Sequence, residues 1–154
     1  MGKHDKGYYP EIVSNTFVDI AEQEGNSISP IKMQKLIFFA HGFMLGVFER
    51  PLVTDDFYAW SNGPVIPELY RKIKEQYSPE VLNFENYSTL PKKSQEYDIV
   101  SVVWKTFGSK STSKLIDYTH RKDMPWYFVW QEGGYLSKIP NKIIEKCFKK
   151  LNSL

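Results

Sequence analysis

The chain has 154 residues, 42% of them apolar and 25% charged, a balance that excludes wholesale disorder and suffices for one core burying about 70% of the unfolded surface. Its 20 basic and 18 acidic side chains leave a formal net charge of +2, far from the basic excess of a dedicated nucleic-acid binder. The single cysteine, Cys147, excludes an intramolecular disulfide or a thiolate metal cluster, and with no signal-peptide order at the N-terminus it points to a reducing, cytoplasmic setting.

Residues 1–9 read as a flexible polar tail and residues 10–154 as a single helical domain. Pro10, the apolar series Ile12, Val13, Phe17, Ile20 and Ala21, and the closing Gly25 predict a helix from Pro10 to Glu24. Ser29-Pro30 caps and opens a second helix, and the stripe Met33, Leu36, Ile37, Ala40, Phe43, Met44 and Val47 marks it as the core helix. Its apolar run from Leu36 to Phe48 is too short to span a bilayer. Gly42 and Gly46, one turn apart, let another element approach closely. From Pro51 to Trp60, short apolar pieces around Asp55-Asp56 predict a small antiparallel hairpin, ended by Asn62-Gly63-Pro64.

Pro67 opens an amphipathic third helix that ends near Ser78-Pro79. Residues 79–93 hold two prolines and no sustained period, predicting a long and partly mobile loop. For Gln95 to Phe107 a helix is favoured over the strand that the β-branched run Ile99 to Val103 would also fit. Gly108 stops it, the Ser/Thr cluster from Ser109 to Ser113 caps a short stretch with Leu115, Ile116 and Tyr118, and Pro125 opens a further helix up to Gly133-Gly134. A last amphipathic helix from Pro140 to about Leu151 turns Ile143, Ile144, Cys147 and Phe148 inward. The fold class is therefore mainly α, a compact helical domain with a small antiparallel β-hairpin.

The chemistry-bearing residues form no recognised set. His4, His41 and His120 lack metal-ligand spacing. His120 has Asp117 and Asp123 near it in sequence, which leaves a metal or general-base role open beside the favoured one, a ring bonded to a helix terminus. His41 reads as a satisfied core histidine and Cys147 as a small core residue. Gly108-Ser109-Lys110-Ser111 lacks the spacing of a phosphate loop, and there is no nucleophile elbow or zinc-protease motif. Neither enzyme activity nor a cofactor is expected. Lys138, Lys142, Lys146, Lys149 and Lys150 stand against Glu145 near the C-terminus, favouring a solvated face, with contact to acidic protein or phosphate as the alternative. The aromatic content of 16% exceeds what one small core needs, and surface rings are typical interface anchors.

Three stretches carry a family resemblance: Ser29 to Gly42, Ala59 to Tyr70, and Leu115 to His120 with Pro125-Trp126. In this order and spacing, followed by Ile139-Pro140-Asn141 and the helix after it, they resemble the Panacea domain, a family that includes SocA-like antitoxins and phage-associated GepA-like proteins. The similarity runs from about Ile12 to Leu151, with Phe38-Phe39 standing where tyrosines are common. It implies an antitoxin without catalysis that neutralises a cognate protein toxin, encoded by an adjacent gene, through protein–protein contact. The motif residues it singles out, as scaffold or partner-binding groups, are Lys35, Trp60, Gly63, Pro64, Pro67, Tyr70, Thr119, His120, Pro125 and Trp126. The alternatives are an adaptor that hands the toxin to a protease, a nucleic-acid-binding module resting on the C-terminal lysines, and an enzyme using His120. No membrane partner is expected, and the 79–93 loop is a candidate for choosing the partner.

Overall fold

The computed structural model describes residues 6–152. Among them are seven helices and three short strands: α1 (Pro10–Gln23), α2 (Pro30–Phe48), β1 (Phe57–Trp60), β2 (Gly63–Val65), α3 (Pro67–Lys74), α4 (Gln95–Phe107), α5 (Thr112–Thr119), α6 (Pro125–Glu132), β3 (Lys138–Ile139) and α7 (Asn141–Asn152).

Local chemistry sets the helix ends. Proline occupies the first turn of α1, α2, α3 and α6, where its missing N–H costs nothing. Ser29, Ser94 and Ser111 each lie just before a helix, and their hydroxyls accept from the amides of Lys32, Tyr97 and Lys114. α2 is the hub, packed by α1, α4, α5, α7 and β2. It is long and apolar enough to cross a membrane, yet 72% of that stretch is buried by the rest of the chain, as in the core helix of a globular fold.

The glycine pair on α2 does what its spacing foretold. A Cβ built on Gly42 would sit 2.3 Å from the Phe148 ring, and one on Gly46 would sit 3.0 Å from the Phe148 backbone. Their bare backbone therefore lets α7 lie directly on α2, with Phe148 at the seam beside Phe38, Phe39 and Phe43.

The hairpin lies later in the chain than the sequence suggested. β1 pairs antiparallel with β2 through Tyr58 and Val65, Ala59 and Pro64, and Trp60 and Gly63. Its other edge takes β3, through Phe57 with Ile139 and Tyr58 with Lys138. Gly63 and Pro64 thus start the second strand instead of ending the hairpin. The earlier apolar pair Leu52-Val53 has other partners: Val53 bridges in parallel to Tyr8, and the amides of Leu52 and Val53 both donate to His41 Nδ1.

Two other expectations need correction. Of the tail placed at residues 1–9, residues 1–5 and with them His4 lie outside the described residues, whereas Tyr8 is buried and exchanges backbone hydrogen bonds with Leu52 and Thr54. The 79–93 segment has no regular structure but is pinned along α1 instead of standing off as a mobile loop. Asn15 donates to the Phe84 and Tyr87 carbonyls and accepts from the Phe84 amide, and Thr16 accepts from the Leu90 amide. Val81 and Leu90 are buried beneath it. At 95–107 the helix is realised, its indole Trp104 donating to Glu24.

Candidate functional site

The resemblance motifs converge on the buried amine of Lys35. Lys35 lies early on α2, has no exposed surface, and donates from Nζ to the Pro64 carbonyl at 2.6 Å. Burial pulls its pKa down to about 7, because a charged ammonium loses its hydration there. Sealed in this way, the amine holds β2 against α2 and presents no nucleophile to solvent. The neighbouring Gln34, also buried, accepts from the Ile66 amide at 2.9 Å and so fixes the residue that caps α3.

Gly63 is fitted to this spot by backbone as well as by space. Its φ is 110°, and a Cβ there would lie 2.7 Å from Thr119 Oγ1 and 3.1 Å from Lys35 Cε. Thr119, with no exposed surface, ends α5 and donates to the Ile116 carbonyl. The hairpin is also tied to α6, where Trp126 Nε1 donates to the Trp60 carbonyl at 2.7 Å. The half-buried Trp60 ring meets Tyr70 of α3 edge-on, with centroids 5.0 Å apart.

His120 closes α5 through its backbone amide, which bonds back to Ile116 and Asp117. The expectation that its ring would bond a helix terminus fails. The ring stacks on Trp126 at 3.9 Å, Trp126 stacks on Trp130 at 4.8 Å, and Trp130 meets Tyr135 edge-on at 6.4 Å. Burial first, then the nearby Lys35 charge, lower the His120 pKa against the opposing Asp117 charge and a hydrogen bond to the Ser61 backbone. The buried atoms Trp60 Nε1 and His120 Nε2 have no hydrogen-bond partner among the described residues.

Eight of the ten motif residues therefore surround one place, where α2, the hairpin, α5 and α6 meet: Lys35, Trp60, Gly63, Pro64, Tyr70, Thr119, His120 and Trp126. The other two, Pro67 and Pro125, start α3 and α6 beside it. The remaining candidates are elsewhere. His41 is buried on α2 and bonded to Asn141 of α7, and Cys147 is buried on α7 with its thiol pKa raised by burial. Among the described residues no three His, Cys, Asp or Glu side chains gather as metal ligands would. Sequence reasoning passed over Gln34, whose signal was a polar side chain inside the apolar series of a core helix.

Comparison with known proteins gives this geometry a context. The family model described as "Antitoxin SocA-like, Panacea domain" matches residues 33–127, a range that holds all ten motif residues. Antitoxin SocA of Caulobacter vibrioides (strain NA1000 / CB15N) is 30% identical over 147 residues, covering 89% of this chain and 78% of that protein. No solved structure matches.

Proposed function

The chain belongs to the Panacea-domain family of SocA-like antitoxins, and on that premise we infer that it acts in the cytoplasm, without chemistry of its own, by binding a cognate protein toxin encoded beside it. The observation that carries this reading is the match over residues 33–127, read with the burial inside that range. Lys35, Gly63, Pro64, Thr119, Pro125 and Trp126 are buried, so six of the ten motif residues support the scaffold. Partner choice then falls to exposed surface around it. A neutralising interface of ordinary size removes about 1,200–2,000 Å² from water and depends on a few aromatic or arginine anchors.

Co-expression with the product of the adjacent small gene tests the reading. Growth should be rescued and the two proteins should co-purify as a stable complex. Rescue with rapid loss of the toxin and no stable complex favours delivery to a protease and overturns neutralisation by binding. A folded chain that neither binds nor protects refutes the antitoxin role for that gene pair.

A further inference from the structure

The His41 ring is buried whole on α2, and both of its nitrogens are engaged. Nδ1 faces two successive backbone amides, those of Leu52 at 3.2 Å and Val53 at 3.3 Å. A backbone amide N–H only donates, so Nδ1 must offer its lone pair and carry no proton. Nε2 then holds the single proton of the ring and donates it to Oδ1 of Asn141 at 2.9 Å. The donors alone fix this neutral tautomer.

Three segments far apart in sequence meet at this ring. α2 supplies it, the 52–53 pair is held to it and bridges in turn to Tyr8, and Asn141 starts α7 just after β3 has paired with β1. A proton added to Nδ1 would set an N–H against two other N–H groups, where the ring has no exposed surface through which water could relieve them. The surrounding charges do little to favour a cation. On the 49–56 connection Glu49 is bonded to Lys149, Arg50 to Glu96, and Asp55 accepts from Thr54. Asp56 is the charge that acts on the ring, but it is half-exposed and lies 3.4 Å from Lys138 of β3. On α7, Glu145 is drawn to Lys149, and Lys142 is a further positive charge beside Asn141. On α2 the nearest charged neighbour in sequence is Lys35, also basic. Burial outweighs the Asn141 bond and the Asp56 charge and lowers the pKa of the ring from 6.5 to about 4.

We propose that His41 is an acid-sensitive lock: one proton taken up at this ring parts α2 from the 52–53 pair and from the start of α7, and so couples folding of the chain to the acidity around it. The lock stands apart from the antitoxin reading and needs no partner. From pH 6.5 down to about 4 the unfolded chain holds a proton that the folded ring refuses. The contribution of His41 is therefore fully present above 6.5 and is lost as pH falls towards 4. Lys35 begins to lose its proton only at about 7, so the two buried bases act in separate ranges.

Urea unfolding of the full chain, followed from about pH 7.5 to 4.5, tests the lock. His41→Asn keeps an acceptor oxygen close to the Nδ1 position and cannot titrate. Relative to it, the unfolding equilibrium constant of wild type should rise on acidification by up to about tenfold per pH unit, and by about 300-fold over the whole window. Groups that titrate in both chains, His120 among them, cancel in the comparison. Parallel pH profiles for the two chains overturn the proposal. Should His41→Asn fail to fold, nitrogen NMR of the wild-type ring decides. Nδ1 should stay unprotonated in the folded chain down to about pH 5, with the Leu52 and Val53 amides protected from hydrogen exchange. A ring that takes up its proton near its ordinary pKa while the chain stays folded and those amides stay protected overturns the lock as well.

Discussion

Lys35 and His41 stand on the same helix, less than two turns apart, and neither exposes any surface. His41 is fully served. Its Nδ1 accepts from the Leu52 and Val53 amides at 3.2 and 3.3 Å, which leaves the proton on Nε2 to donate to Asn141 at 2.9 Å. That neutral tautomer fits a pKa driven down to about 4 by burial. Among the described residues Lys35 has one carbonyl, that of Pro64, for an amine with up to three protons, and two ring nitrogens of the motif cluster, Trp60 Nε1 and His120 Nε2, lack partners. One buried polar group therefore joins distant segments and adds stability, while the other is a local liability at the place where the family motifs meet.

The largest effect should come from His41→Ala. It strips two buried amides of their acceptor and opens space beside Phe57, whose ring centroid lies 5.3 Å from the imidazole. A loss of about 3–5 kcal/mol is expected in urea unfolding at neutral pH. A loss below about 1 kcal/mol would erase the contrast with Lys35. Gly63→Ala comes next, with an expected loss of about 2–3 kcal/mol from its left-handed backbone and its contact with Thr119. Repeating it in a Thr119→Ala background should return only the part owed to crowding, and full recovery would show that φ carries no cost there.

The smallest effect at neutral pH belongs to Lys35→Met, expected within about 1 kcal/mol, because losing a desolvated amine offsets the orphaned Pro64 carbonyl. Its signature is instead a slope with pH. Lys35 titrates at about 7 in the fold against its ordinary 10.5, so between those values the unfolded chain holds more protons. Stability must then rise with pH across that window, by at most about 1.4 kcal/mol per pH unit, with the penalty fully present below it. Thermal melts at several pH values should show wild type gaining on Lys35→Met as the solution becomes alkaline. Parallel curves would mean that the amine is not desolvated.

Much of the fold was legible because helix signals are local. Ser29-Pro30, Gly25, Ser111 and Pro67 mark ends within a turn of where the helices stop or start. The misplaced hairpin shows the limit of such signals. Leu52-Val53 has a strand's composition, but its partners are Tyr8 and His41, and a two-residue strand such as β3 exists only through its pairing with β1. Pinning of the 79–93 segment depends on Asn15, some seventy residues earlier, which no local pattern reveals. At the site, the motif residues were readable from the resemblance. The burial of Lys35 was not, because a lysine on a helix ordinarily reads as its wet face.

The seating of α7 on Gly42 and Gly46 also has a consequence in time. The segment that covers the most apolar helix, and the strand that completes β1, both come from residues 138–152, made long after α2 itself. At about 5–20 residues per second, a ribosome leaves that helix face bare for several seconds. During that interval the nascent chain carries exposed apolar surface, and closure of the core waits for translation of residues 138–152.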